Sequence, residues 1–253
     1  MKLDQFKLDG KMAIVTGGNT GLGLAYSQSL CDLGADIMVV GHIDDFAEVK
    51  AYVEGAGKKF YGYVADLTSK EAIQQLVDSA VAEFGKIDIL VNNAGTIRRN
   101  PLLETPDQDW DQVIDINLNT VFYLSKAAAT VMKEQGHGKI INIASMLSFQ
   151  GGKFVPAYAA SKHGVAGLTK AFANELAEFN IQVNAVAPGY IKTANTAPIR
   201  ADKVRNAEIL SRIPAGYWAE PEDIAGAVAF LAGEGCNYIN GVVIPVDGGW
   251  QAR

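Results

Sequence analysis

The chain has 253 residues, with 22 Lys and Arg against 28 Asp and Glu, for a formal net charge of -6. An acidic chain without a Lys/Arg cluster lacks the electrostatic footprint of a nucleic-acid binder. No uninterrupted apolar run of ~18 residues is present to span a bilayer, and the start MKLDQFKLDGKMAIVTGG breaks its apolar residues with charges, unlike a secretory signal, so the expected location is the cytoplasm.

MAIVT reads as a buried strand, followed by a glycine turn and a helix from Gly21 to Leu33. DIMVV is the second strand, and a helix from about Asp44 and the run KFYGYV follow. Ser69 to Phe84 carries the clearest helical pattern: Ile73, Leu76, Val77, Ala80, Val81 and Phe84 fall on one stripe. Thr68 and Glu71 fit a capping box at its start, and Gly85 is its stop. IDILVNNAG is the next strand, while KIINIA and IQVNAVAP are apolar with little strict alternation, as in strands covered on both faces. This rhythm predicts an α/β fold, a single Rossmann-type domain over residues 1–253 with a doubly wound parallel sheet flanked by helices. The patternless stretch from Pro188 to Pro214 is long for a compact domain, and a substrate lid is expected at about 188–214, with a short helix around Asp202 to Ser211. Cys31 and Cys236 read as buried thiols, and His42, His137 and His163 lack metal-ligand spacing.

The first strand runs into TGGNTGLG, where Gly17, Gly21 and Gly23 mark a tight strand-to-helix turn whose backbone N–H groups can approach a pyrophosphate. The spacing is GxxxGxG, not the general GxGxxG fingerprint. Tyr158 and Lys162 stand four apart in AYAASKHG, and if Ala157 to Ala177 is helical they share a face. The ammonium is then expected to pull down a phenol that ordinarily titrates near ~10. Ser145, at the end of KIINIAS, offers a hydrogen bond to the same substrate oxygen. Together they describe a site that moves a proton while a hydride moves. Taken singly, Tyr158 and Lys162 read as solvated surface groups, Ser145 as a turn cap and Asn117 as a partner for local backbone; the joint spacing favours the active-site reading.

TGGNTGLG, ADL at Asp66, NNAG at Asn92 to Gly95, Asn117 in DINLNT, Ser145, Tyr158 with Lys162, and PGYIKT at Pro188 to Thr193 stand in the order of the short-chain dehydrogenases/reductases. The chain resembles that family over essentially its whole length. The resemblance implies a catalytic set of Asn117, Ser145, Tyr158 and Lys162, with Asn117 positioning a water in a proton relay and Lys162 also holding the nicotinamide ribose. It implies Gly17, Asn19, Gly21, Leu22 and Gly23 around the pyrophosphate, Asp66 and Leu67 flanking the adenine, and Asn93, Ala94 and Gly95 along the cofactor. Pro188, Gly189, Ile191 and Thr193 fall at the nicotinamide. The second strand ends on Gly41, with no acidic residue for a ribose 2′-hydroxyl and no Arg or Lys in the glycine loop for a 2′-phosphate; His42, next in the chain, is expected among the cofactor-binding residues as a weak substitute for the Arg of NADP forms, with a neutral surface histidine as the alternative. NAD is the expected cofactor, with NADP as the alternative.

GTIRRN, SMLSFQGG, EILSRIPAGYW and DGGWQAR resemble the branch of the family that serves bacterial uronate breakdown. That implies reduction of 2,5-diketo-3-deoxygluconate to 2-dehydro-3-deoxygluconate. The carboxylate of a sugar acid needs a cation with planar donors, and Arg98 or Arg99 is well placed. Met146, Gln150 and Tyr190 are expected to line the pocket beside Ser145 and Tyr158, with core packing competing for Met146. The resemblance also implies a homotetramer, in which Trp250 is buried between chains or caps its own core. Rival readings are a gluconate 5-dehydrogenase, a 3-ketoacyl thioester reductase and, in another class, a catalytically silent NAD(P)-sensing protein.

Overall fold

The computed structural model describes residues 3–252. The apolar runs become β1 (Met12–Thr16), β2 (Asp36–Gly41), β3 (Phe60–Val64), β4 (Ile89–Asn92), β5 (Gly138–Ile143), β6 (Ile181–Pro188) and β7 (Val243–Val246). They pair in the order β3-β2-β1-β4-β5-β6-β7, each neighbour parallel. Parallel neighbours need crossovers, here α1 (Gly21–Asp32), α2 (Ala47–Gly55), α3 (Lys70–Phe84), α4 (Asp107–Ile114), α5 (Thr120–Gln135), α6 (Pro156–Leu176), α7 (Ala197–Ala201), α8 (Lys203–Arg212) and α9 (Pro221–Ala232).

The two-residue period of β1 divides the core. Ala13 and Val15 join Tyr26 and Leu30 of α1 and Ile224 and Val228 of α9 on one face. Met12 and Ile14 join Leu76 of α3, Leu124 of α5 and Ala173 of α6 on the other. At the edge where the strands begin, the buried Asp88 carboxylate accepts from the Met12 N–H at 2.9 Å and from His137 Nε2 at 2.8 Å, beside Lys86 Nζ at 3.0 Å. Burial pushes this carboxyl up, but the His137, Met12 and Lys86 contacts together hold it below the usual range. The opposite edge, where the strands end, is left to the loops after β1, β4, β5 and β6, and the order reverses between β1 and β4 there.

Three local expectations change. The α3 cap is Ser69, whose side chain accepts from the Ala72 N–H at 3.2 Å, because Thr68 donates both its N–H and its hydroxyl to Asp66 Oδ1. Val81 lies 37% exposed at the rim of the predicted stripe. The helix expected from Asp44 begins at Ala47. Gly85 stops α3 in the left-handed region at φ 77°, as predicted.

Candidate active site

The loop between β1 and α1 fits a dinucleotide pyrophosphate. Gly17 and Gly21 adopt φ 62° and 52°, and a Cβ on Gly23 would lie 2.0 Å from the Gly17 carbonyl oxygen. The Thr20 side chain makes no cap bond and the first turn of α1 carries no acidic residue, so its N–H groups face no competing anion from the chain itself. Asn93 Nδ2 donates to the Thr16 carbonyl at 2.8 Å, while Thr16 Oγ1 accepts from the N–H groups of Asn93 and Ala94, both at 2.9 Å. Thr16, unmarked in the sequence, therefore joins the β1 and β4 loops. Asn19 Nδ2 donates to the Asp45 carbonyl at 3.1 Å. Leu67 is buried; Asp66 and His42 are exposed. A side chain at Gly41 would press on the Ile43 carbonyl at 3.0 Å and the Phe46 ring at 3.1 Å, so an acidic residue there would need these neighbours to give way by a few tenths of an ångström.

β5 delivers Ser145 in extended conformation as the cap of a 3-10 turn over Met146–Ser148, and Ser148 Oγ donates to the Lys162 carbonyl at 2.6 Å. Pro156 opens α6, which sets Tyr158 and Lys162 one turn apart with Nζ 5.6 Å from the phenol ring centroid. Lys162 is buried and its Nζ donates to the Ile143 carbonyl at 2.6 Å; burial lowers its pKa to about 8. The expected depression of Tyr158 by this ammonium is not what governs the phenol. Burial pushes Tyr158 above its ordinary value, opposed by a hydrogen bond with Ser145 and by the Arg99 charge. The desolvation that weakens Lys162 as a cation also penalises the phenolate.

Asn117 sits in a π-helical turn, Asp115–Asn119, joining α4 to α5. Its Oδ1 accepts from the Thr96 N–H at 2.8 Å and its Nδ2 donates to the Thr96 carbonyl at 2.9 Å, so the amide props the loop after β4. Gly95 is what lets it approach: a Cβ there would meet Asn117 Oδ1 at 3.1 Å.

Arg98 and Arg99 part company. Arg98 turns back on Thr96 Oγ1 at 3.0 Å, with its Nε 3.8 Å from Asp109. Arg99 Nη2 donates to the Asn195 carbonyl at 3.2 Å, spanning to the segment after β6, and its charge acts on both Tyr158 and Tyr190. Tyr190 packs edge-on to Trp218 at 5.0 Å and to Trp250 at 4.9 Å, and Arg212 of α8 lies 4.1 Å over the Trp250 ring. Met146 is buried in this cluster with Ile209 and Ile213, and Gln150 is half-buried just after the 3-10 turn. Trp250 is 7% exposed within its own fold, so it caps its own core. Pro188 and Ile191 are buried; Gly189 and Thr193 are half-buried.

A family model described as enoyl-(acyl carrier protein) reductase matches residues 17–251. The chain is 52% identical to the 2-dehydro-3-deoxy-D-gluconate 5-dehydrogenase of Bacillus subtilis over 99% of its length and 98% of the relative. It is also 52% identical to that of Escherichia coli over the full length of both. The chain belongs to the short-chain dehydrogenase/reductase family. A solved member, a gluconate 5-dehydrogenase from Burkholderia cenocepacia in complex with NADP and tartrate, superposes with a TM-score of 0.96 at 35% identity, covering 99% of each chain. This short-chain dehydrogenase/reductase is thus an oxidoreductase whose loops after β1, β4, β5 and β6 converge on one edge. Sequence reasoning passed over Thr16, Ser148 and Trp218, which hold that edge in shape.

Proposed function

We propose that this enzyme interconverts a keto sugar acid and its alcohol with NAD or NADP, the substrate being 2,5-diketo-3-deoxygluconate and the product 2-dehydro-3-deoxygluconate. The observation that carries the reading is the convergence of Ser145, Tyr158 and Lys162 at one strand edge with the Arg99 charge acting on the same phenol. When bound, the cofactor supplies or accepts the hydride. In reduction, Tyr158 passes its phenolic proton to the carbonyl oxygen and Ser145 Oγ donates a hydrogen bond to that oxygen. Burial keeps the phenol protonated at neutral pH, the form that reduction requires. Lys162 holds the nicotinamide ribose and returns a proton toward Tyr158. Arg99 grips the substrate carboxylate, whereas Arg98 is engaged near Asp109 and acts through the loop.

The names of the relatives at 52% identity support this substrate. Gluconate 5-dehydrogenase is the second reading, favoured by the Burkholderia structure. Gly41 offers no carboxylate to repel a 2′-phosphate or to select for its absence, which supports use of either cofactor. Residues 188–214 act as the substrate lid, working in the cytoplasm as a homotetramer; the exposed Phe122 and Phe230 support a further apolar contact. Among the described residues no helix is long and apolar enough to cross a membrane. Following NADH and NADPH absorbance with 2,5-diketo-3-deoxygluconate, 5-ketogluconate and an acetoacetyl thioester tests the reading. The first should turn over fastest; preference for the thioester would overturn it, and no turnover despite cofactor binding would favour a sensing role.

A further inference from the structure

The loop after β4 and the first turn of α4 meet at one carboxylate. Asp109 Oδ2 accepts from Asn100 Nδ2 at 2.6 Å, and its Oδ1 lies 3.8 Å from Arg98 Nε. One side chain of α4 thus holds the residues on either side of Arg99 and leaves Arg99 itself out. Arg98 is turned back further by its bond to Thr96 Oγ1 at 3.0 Å. Asn100 is held at a second point, its backbone N–H donating to the Phe154 carbonyl at 3.0 Å. Phe154 has a left-handed φ of 69°, and among the described residues the only other non-glycine with a positive φ is Asn180. Asparagine tolerates that region, whereas for a bulky side chain it is strain, which persists only where the surroundings over-determine it. The bond to Asn100 is one such constraint, and Phe154 stands two residues before Pro156 opens α6, the helix of Tyr158 and Lys162.

Between two anchored neighbours, Arg99 takes the other side of the loop. Its Nη2 donates to the Asn195 carbonyl at 3.2 Å in the segment after β6, while the side chain as a whole stays exposed, so a ligand in the cleft can reach its other donors. An arginine that must meet a carboxylate in a fixed planar geometry loses affinity for every rotamer and loop position it has to give up on binding. Asp109 also has an opposing effect. A carboxylate near an anion-binding arginine repels the anion, so by charge alone its removal should tighten binding.

We propose that Asp109 is a positioning residue for substrate recognition: by pinning Arg98 and Asn100 it aims Arg99 at the carboxylate of the sugar acid. The inference rests on the role given to Arg99 above. Asp109→Ala tests it by steady-state kinetics with 2,5-diketo-3-deoxygluconate and with its methyl ester, which carries no charge. KM for the acid should rise about two- to tenfold, the range set by one long side chain left to be ordered on binding, while kcat and KM for the ester hold. Asp109→Asn loses the charge but keeps an acceptor for Asn100, and should stay closer to the wild type. In an Arg99→Met background, Asp109→Ala should add nothing for the acid, since both changes act on one contact. A lower KM for the acid in Asp109→Ala would mean that charge rather than placement governs, and would overturn the proposal. Equal rises for acid and ester, a further rise in the Arg99→Met background, or an Asp109→Asn variant as impaired as Asp109→Ala would overturn it as well. If Arg99→Met alone leaves KM for the acid unchanged, the role of Arg99 falls and the proposal with it; if Arg99→Met raises KM and Asp109→Ala does not, only the role of Asp109 is removed.

Discussion

Lys162→Met should make the cofactor-free protein more stable at neutral pH while abolishing its activity. The ammonium is 5% exposed, and its hydrogen bond is to the uncharged Ile143 carbonyl. Burial takes its pKa from 10.5 to about 8, and at about 1.4 kcal/mol per tenfold this is a penalty of about 3 kcal/mol on the charged folded form. Losing the Ile143 hydrogen bond returns about 1 kcal/mol, leaving a gain of about 2 kcal/mol for methionine, which keeps an unbranched stem. The sign against pH follows from the two states. Below pH 8 the lysine is charged whether folded or unfolded, and the folded form bears the whole penalty. Between about 8 and 10.5 the folded form releases its proton first, so wild-type stability rises through that window and the advantage of the variant fades. Urea titrations of both proteins at pH 7, 8, 9 and 10 read the difference directly, and the other titrating groups cancel in it. A gap that stays constant across the series would refute the reasoning, since it would mean that the buried ammonium is stabilised by something other than the Ile143 carbonyl.

Tyr158→Phe should bind NADH nearly as the wild type does and lose several orders of magnitude in turnover, read by calorimetry and initial rates. Arg99→Met removes a charge that favours the phenolate, so the rising limb of the alcohol-oxidation pH profile should move to higher pH and KM for the sugar acid should rise, with a smaller effect from Arg98→Met. Gly23→Ala places a methyl group 2.0 Å from the Gly17 oxygen and should cost cofactor binding and stability together. Gly167→Ala, on α6 with nothing within 4 Å of the added carbon, should instead stabilise by about 0.5–1 kcal/mol in thermal unfolding.

Local patterns in the chain carried the sheet and α3, because a buried strand and an amphipathic stripe are short-range signals. A short helix is expected around Asp202 to Ser211 and α8 spans Lys203–Arg212; its cap, Asp202 accepting from the N–H groups of Val204 and Arg205, was not read from the chain. The Thr68 misassignment shows the limit: two adjacent residues could cap α3, and Asp66 had already engaged one. Spacing brought Tyr158 and Lys162 together but did not reveal their burial, which depends on distant segments and reverses the expected direction for the phenol. Arg98 and Arg99 look alike in the chain; Asp109 and Asn195 distinguish them. Tyr190, Trp218 and Trp250 carry no common motif, and only the fold stacks them.

The widened turn at Asp115–Asn119 accommodates one more residue than an α-helical turn, with the Thr120 N–H reaching back to the Asp115 carbonyl. Excising one residue there would let a regular helix run unbroken from Asp107 toward Gln135, yet everything beyond the cut would be wound by about 100° relative to everything before it. The Asn117 amide could not then remain on Thr96 while Leu124 stayed in the core. The irregularity acts as a spacer between two helical phases, one suited to the reaction centre and one to packing, and shortening the chain there would sacrifice one of them.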